Sequence, residues 1–156
     1  MAGGAKFMSM QIRGTPSGDF IYIRAEGEFS LDEATRTFSM ALDMMMANDS
    51  HRVLFDGRSV VGEPTAVERY YYAAFASDAV NMLRDLGWLY DPPQFAYVLL
   101  EPVLDPLRLG QTVAKKRDMR VKAFDDLDDA IRWLHVAPEH ARVVAEQNKG
   151  ASSAGK

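Results

Sequence analysis

Cysteine is absent from the chain. Disulfides, thiolate nucleophiles and cysteine-based metal sites are thereby excluded, a pattern that fits a reducing compartment. Histidine is scarce, with only His51, His135 and His140. None falls in an HxH or HExxH arrangement. Pro138 separates His135 from His140, whose spacing is poor for ligands on one helical face, so no metal is expected. The longest strongly apolar run, Phe95 to Leu100, has six residues, against about 20 for a membrane span. No transmembrane segment is expected. The opening MAGGAKFMSM lacks the apolar core of a secretory signal, and the expected location is the cytoplasm. Basic charge is short as well: 18 Lys and Arg against 22 Asp and Glu give a formal net charge of -4. A scattered, weakly acidic charge set leaves no electrostatic footprint for nucleic acid. The glycines match neither the phosphate-cradling loop nor the dinucleotide fingerprint, no GxSxG elbow is present, and no cofactor is expected.

What is there suits one globular domain: 156 residues, 47% apolar and 26% charged, enough for a sizeable core. Residues 1–7 read as a loose arm. Residues 8–12 partly alternate and predict a first strand, 15–19 form a turn cluster, and the β-branched and aromatic stretch 20–24 predicts a second strand. The two pair as a hairpin with the first at the sheet edge. Ser30-Leu31-Asp32-Glu33 is a capping box, and Leu31, Ala34, Phe38, Ala41, Leu42 and Met45 follow at helical spacing. The cluster of Met40 and Met44 to Met46 is explained at less cost by soft core packing than by a ligand groove. Thr65-Ala66-Val67-Glu68 repeats the capping box. It predicts a helix to Leu86 with Val67, Tyr71, Ala74, Phe75, Ala79, Met82, Leu83 and Leu86 as its apolar stripe and Gly87 as its stop. Residues 95–100 predict a central strand covered on both faces. Asp105 with Pro106 predicts a further helix start, 120–124 a short strand, and Asp125 or Asp126 the cap of a helix through Leu134. The main domain is expected over 8–136, a C-terminal helix over 137–149, and a disordered tail over 150–156. With right-handed crossovers, the order β-β-α-β-α-β-α-β-α makes the sheet largely parallel.

The stretch RVLFDGRSVVGEPTAVERYYYAAF, 52–75, carries the polar residues best placed for chemistry. It predicts a short strand at 53–55, a polar turn from Asp56, and the helix from Thr65. Strand exits are where open α/β sheets place ligand sites. Asp56 could act as a base or ligand acceptor, and Arg58 could hold a carboxylate or phosphate bidentately. The structural alternative has Asp56 holding turn amides and Arg58 paired with Glu63 or Glu68. Glu68 and Arg69 open the helix, and the N3 position already explains Glu68. Of Tyr70, Tyr71 and Tyr72, one is expected in the core and one at solvent or a partner. Trp88 and Tyr90, beside Pro92-Pro93, could line an apolar cleft, cover the core or meet a second subunit. Lys115-Lys116-Arg117 with Arg120 could meet phosphate or an acidic partner, and equally suits a helix C-terminus.

The order of elements and several of these strings resemble the SpoIIAA-like (STAS/SEC14-like) family over roughly 20–135. Val53-Leu54-Phe55-Asp56-Gly57-Arg58, then Gly62, Pro64, Thr65, Glu68, Arg69 and Tyr70, carry the resemblance. So do Thr112-Val113-Ala114, Arg117, the strand through Phe124, and Asp128-Asp129-Ala130-Ile131-Arg132-Trp133-Leu134. The resemblance implies an α/β, STAS-like fold: a small mixed, largely parallel sheet with helices packed mainly on one side. It implies action through partners, by anti-sigma-factor antagonism, regulation of anion transporters, or nucleotide and lipid recognition, and supplies no enzyme mechanism. In the antagonists a strand ends in an Asp-Ser-Ser-Gly-like turn where a serine is phosphorylated. Asp56 takes the Asp place here, but Gly57 and Arg58 stand where the serines are expected. Ser59, one residue late, and Thr65, well beyond, are weak phosphosite candidates, and Thr65 has a sufficient task as a helix cap.

The resulting expectation is a non-catalytic STAS-like binding or regulatory module acting through protein contacts, either with a protein partner or by self-association. Asp56, Arg58, Glu68, Arg69, Tyr70, Trp88 and Tyr90 are its contact candidates. One alternative is a carrier or sensor of a small apolar or lipid-like ligand, which requires a deep pocket lined by first-helix methionines and by Trp88 or Tyr90. Another is an enzyme using Asp56, Arg58 and Glu68, which requires those side chains to converge on one cleft.

Overall fold

A computed structural model describes residues 10–105 and 108–154. Residues 1–9, Pro106 at the expected helix start and the last two residues of the expected tail lie outside the described residues. The elements are β1 (Gln11–Ser17), β2 (Phe20–Glu28), α1 (Leu31–Asn48), β3 (Arg52–Val61), α2 (Ala66–Asp85), β4 (Gln94–Val98), α3 (Leu109–Lys116), β5 (Arg120–Phe124), α4 (Leu127–Leu134) and α5 (Pro138–Ala154). They build one five-stranded sheet in the order β1-β2-β3-β4-β5. β1 runs antiparallel to β2, and β2 to β5 are parallel.

The hairpin turn is tighter than the sequence suggested. Ser17 sits opposite Phe20, so only Gly18 and Asp19 form the loop. Thr15 and Pro16 belong to β1 instead of the turn. Pro16 is tolerated because β1 is an edge strand with one side free of ladder bonds.

Alternation along the strands sorts side chains to two faces. Ile21, Ile23, Val53, Phe55, Phe95 and Val121 pack against α1, α2 and α3. Phe20, Tyr22, Leu54, Ala96 and Val98 pack against α4 and α5. Three helices therefore cover one face, and two close the other. Ser30 caps α1 by accepting the Glu33 N–H at 3.3 Å, and Phe38, Ala41, Leu42 and Met45 are its buried stripe. Met40 and Met44 lie over β1 at Gly14, where a Cβ would stand 2.6 Å from Met44 Sδ. The methionine cluster thus serves packing.

Two expectations from the sequence change. The strand expected over 53–55 is ten residues long and carries Asp56, Gly57 and Arg58 inside it. The turn starts only after Val61. Between the pairs Arg24–Asp56 and Glu26–Ser59 the register shifts, so Gly57 and Arg58 together face Ala25. This is a bulge, the usual way for a strand to re-aim a side chain. The second change concerns α2. Its buried residues are Ala73, Ala76, Ser77 and Val80, while Val67, Tyr71, Phe75, Met82 and Leu86 are exposed. Of the expected stripe, Ala79 and Leu83 pack against the core beside Tyr72 and Val80, while the other large residues face solvent.

α5 passes the expected end at Lys149 and runs on to Ala154. Gly150 lies within the helix, followed by helix-favouring Ala151 and Ala154. Among the described residues no helix is long and apolar enough to cross a membrane.

Candidate functional site

Three features stand out: a buried polar cluster, an apolar outer face, and a cavity between them.

Asp56 is the centre of the cluster. Its side chain is fully buried on the α4/α5 face, beside Tyr22. Arg58 grips it bidentately, with Nε donating to Oδ1 at 2.9 Å and Nη2 to Oδ2 at 2.8 Å. The Arg58 backbone N–H donates to Oδ1 at 3.3 Å, and Tyr22 Oη donates to Oδ2 at 2.5 Å. Buried Arg24 stands 3.7 Å from Oδ2 and donates to Ser59 Oγ at 3.0 Å. Burial pushes the Asp56 carboxyl upward. The hydrogen bonds from Arg58 and Tyr22 and the Arg58 charge outweigh it and hold the carboxyl below its ordinary value. Asp56 in return raises Arg58, and burial with the adjacent carboxylate raises Tyr22. A saturated carboxylate of lowered pKa is a poor base, and its contacts instead pin the bulge. Gly57 belongs to the same arrangement, because a Cβ there would meet Leu99 Cδ2 at 2.7 Å.

Tyr22 and Arg24 complete the cluster and are not among the sequence candidates. Their signal was two polar-tipped residues two apart, on one face of an otherwise apolar strand. Asp56 and Arg58 meet as one polar site, and the alternative pairing of Arg58 with Glu63 or Glu68 is not formed. Glu68 is spent on the helix cap. Its Oε1 accepts the Thr65 N–H at 2.9 Å, and Thr65 Oγ1 accepts the Glu68 N–H at 3.1 Å. No hydrogen bond or ion pair among the described residues joins Glu68 to Asp56 or Arg58. Arg69 holds the 102–103 backbone, donating to the Val103 and Pro102 carbonyls at 2.7 and 2.8 Å.

The outer face of α2 is the second feature. At 100° per residue, Val67, Tyr71, Phe75, Met82 and Leu86 fall within an arc of about 100°. Tyr71 is 59% exposed and Met82 62%. Asp78 lies in the same arc and pairs with Arg117 at 3.0 Å, and Arg117 also donates to Tyr70 Oη at 3.3 Å. The basic run thus ends in an ion pair at the C-terminus of α3. Trp88 is 58% exposed and Tyr90 90%, while Leu89 between them is buried. Neither aromatic covers the core. Both border an open cleft with Met45, Met46, His51 and Asp91. The residues named for a deep pocket do meet, but on an open surface.

A more apolar cavity lies elsewhere. A cavity of about 190 Å³ opens between the sheet and the α1–α3 layer, toward the C-terminal ends of the parallel strands. Ala34, Ala73, Ala76 and Ala114 form much of its helical wall, and Phe55, Tyr97 and Val121 much of its floor. Its polar lining residues, which include Asp56, Glu68, Arg69 and Arg108, are engaged within the protein. Thr37 donates to the Glu33 carbonyl, Gln111 accepts from the Ala123 N–H, and Asp105 accepts from the Leu109 N–H. Tyr72 and Tyr97 also line it, with their hydroxyls 2.5 Å apart. Burial raises both phenols above their ordinary pKa. Among the described residues, no group of three or more His, Cys, Asp or Glu is placed to hold a metal ion.

Neither a family model nor a curated protein matches the chain. Solved structures do. An anti-sigma factor antagonist from Mycobacterium paratuberculosis superposes with a TM-score of 0.53 at 15% identity, over 82% of this chain and 96% of that one. An uncharacterised DUF3478-family protein with a SpoIIAA-like fold from Shewanella loihica PV-4 superposes with a TM-score of 0.44 at 16% identity, over 81% of this chain and 94% of that one. The chain has the SpoIIAA-like, STAS-type fold.

Proposed function

We propose that this protein is a non-catalytic, STAS-like regulatory module of the cytoplasm that works by binding another protein, with the outer face of α2 and the 88–90 loop as the contact surface. One observation carries the reading: α2 gives solvent a row of large apolar side chains, Val67, Tyr71, Phe75 and Met82, followed by Leu86 at its end. Scattered exposed apolar residues are ordinary, but five on one helix face, interrupted by Asp78 and Asp85 and followed in the chain by exposed Trp88 and Tyr90, support an interaction site, and their aromatic and methionine content is that of interface cores. A protein described as an antagonist of an anti-sigma factor has this fold, which supports a protein as the partner class. The polar cluster is assigned a supporting role. Arg58 is held by Asp56, and Ser59 is held by Arg24. Phosphorylation of Ser59 would require breaking the Arg24 contact, whereas Thr65 is exposed but occupied as a cap.

The test is photocrosslinking in the producing cells with p-benzoylphenylalanine placed at Met82, using a probe at Glu139 on α5 as control. A discrete adduct to one protein at position 82, lost when Tyr71 is changed to Asp and missing at position 139, is the expected result. The same background at both positions overturns the proposal.

A further inference from the structure

We infer that the cavity beneath α2 is a binding site for a small, neutral, largely apolar molecule carrying one hydrogen-bond-accepting oxygen, and that the Tyr72–Tyr97 pair supplies the donor.

The cavity follows from how α2 sits. With Ala73 and Ala76 facing the sheet, and Ala34 and Ala114 closing in from α1 and α3, no large side chain fills the centre of that layer. Native interiors seldom leave voids larger than a water molecule. A cavity of about 150 Å³ lined by apolar side chains stays dry and takes up benzene or xenon. The 190 Å³ here therefore suits a single ring with a short substituent. Its position outside the carboxyl ends of parallel strands is where open α/β sheets hold ligands.

The chemical class comes from the lining. Thr37, Glu68, Arg69, Arg108 and Gln111 on the wall bond to backbone groups, and Asp56 is held by Arg58 and Tyr22, so the charged lining is already engaged and a neutral, largely apolar ligand costs least to bury. The exception is the tyrosine pair. Two phenols carry two protons, and the bond between their hydroxyls uses only one. The second proton has no protein acceptor among the described residues. Both hydroxyls stay protonated across the physiological range, so the pair is a permanent donor in an apolar chamber. A ketone, aldehyde or ether oxygen on a small ring satisfies it, and a plain hydrocarbon leaves it unspent.

Acetophenone and α-methylstyrene share shape and differ in carrying C=O or C=CH2, which makes them suitable probes. In wild type, titration with either is expected to shift the methyl resonances of Ala34, Ala73, Ala76 and Ala114. Ala76→Leu should abolish both titrations. In the Tyr72→Phe/Tyr97→Phe double variant the affinity ratio of acetophenone to α-methylstyrene should fall about tenfold, the worth of one hydrogen bond. Tyr71→Asp, on the opposite side of α2, should leave both affinities unchanged, which separates this site from the contact surface proposed above. Absence of shifts at those four methyls in wild type at saturating probe overturns the site without recourse to any variant. An unchanged ratio in the double variant overturns the donor.

Discussion

At Asp56, four donors converge on a carboxylate with no solvent contact, and the arithmetic of burial decides what that means. Removing one partner of a buried charge pair leaves the other uncompensated. Asp56→Asn is expected to destabilise the fold by about 3 kcal/mol in urea unfolding, because Arg24 stays buried. Arg58→Ala should cost less, since the Arg58 side chain is 36% exposed and Tyr22 still serves the carboxylate. The pH dependence has a definite sign. The folded pKa of Asp56 lies below its unfolded value of about 4. Its contribution is therefore complete above that value and is lost as pH falls through it toward the lowered folded pKa. Stability of the wild type measured from pH 6 down to pH 2 should drop more steeply than that of Asp56→Asn. Thr65→Ala should cost about 1 kcal/mol through loss of the capping bond. The cap was legible in the sequence because both of its partners lie within four residues. The Asp56 cluster was half legible, because Tyr22 and Arg24 come from a strand more than thirty residues away.

For a whole element, the instructive case is α2. Its apolar spacing is genuinely helical, and the helix is there. Periodicity reports that a stripe exists and says nothing about which way it points. The direction was set by packing in the helical layer, where α1 and α3 flank the helix and Ala73, Ala76, Ser77 and Val80 turn inward. Tyr71→Asp and Met82→Asp are each expected to change stability by less than about 0.5 kcal/mol, whereas Ala76→Asp should cost about 3 kcal/mol or more by burying an unpaired carboxylate. Thermal or urea unfolding of the three variants distinguishes this from a core-facing stripe, for which the order would reverse. β3 makes a similar point. The polar run from Asp56 looked like a turn because charged residues seldom sit inside a central strand. Here the bulge at Gly57 and Arg58 lets the strand continue while its charges neutralise each other.

The molecule as a whole is a sheet closed on both faces, and α5 is part of that closure. Ala141, Val144 and Ala145 are buried against the face that holds Phe20 and Tyr22, and the His140 ring meets Phe20 edge-on at 6.0 Å. Ending the chain after Val136 should therefore remove about 4 kcal/mol of apolar burial, and a broadened, lower urea transition would show it. A sharp wild-type-like transition would instead make α5 an appendage to a domain ending at 136. The apolar face of α2 and the cavity beneath it have one origin at this scale. Where the cavity lies, α2 turns Ala73 and Ala76 inward, while Tyr71, Phe75 and Met82 sit on the outside.

The sequence alone determined the features that depend on near neighbours: the order of strands and helices, the helix caps at Ser30 and Thr65, and the hairpin. Those follow from local hydrogen bonding and periodicity, which act over a few residues. Tertiary structure decided which face of α2 met solvent, that Asp56 would lie within a strand among Tyr22, Arg24 and Arg58, and that the more apolar cavity would form beside Tyr72 and Tyr97 and away from Trp88. Each of these depends on the distance between a helix and a sheet, or between strands distant in the chain, and only the packed fold sets those distances.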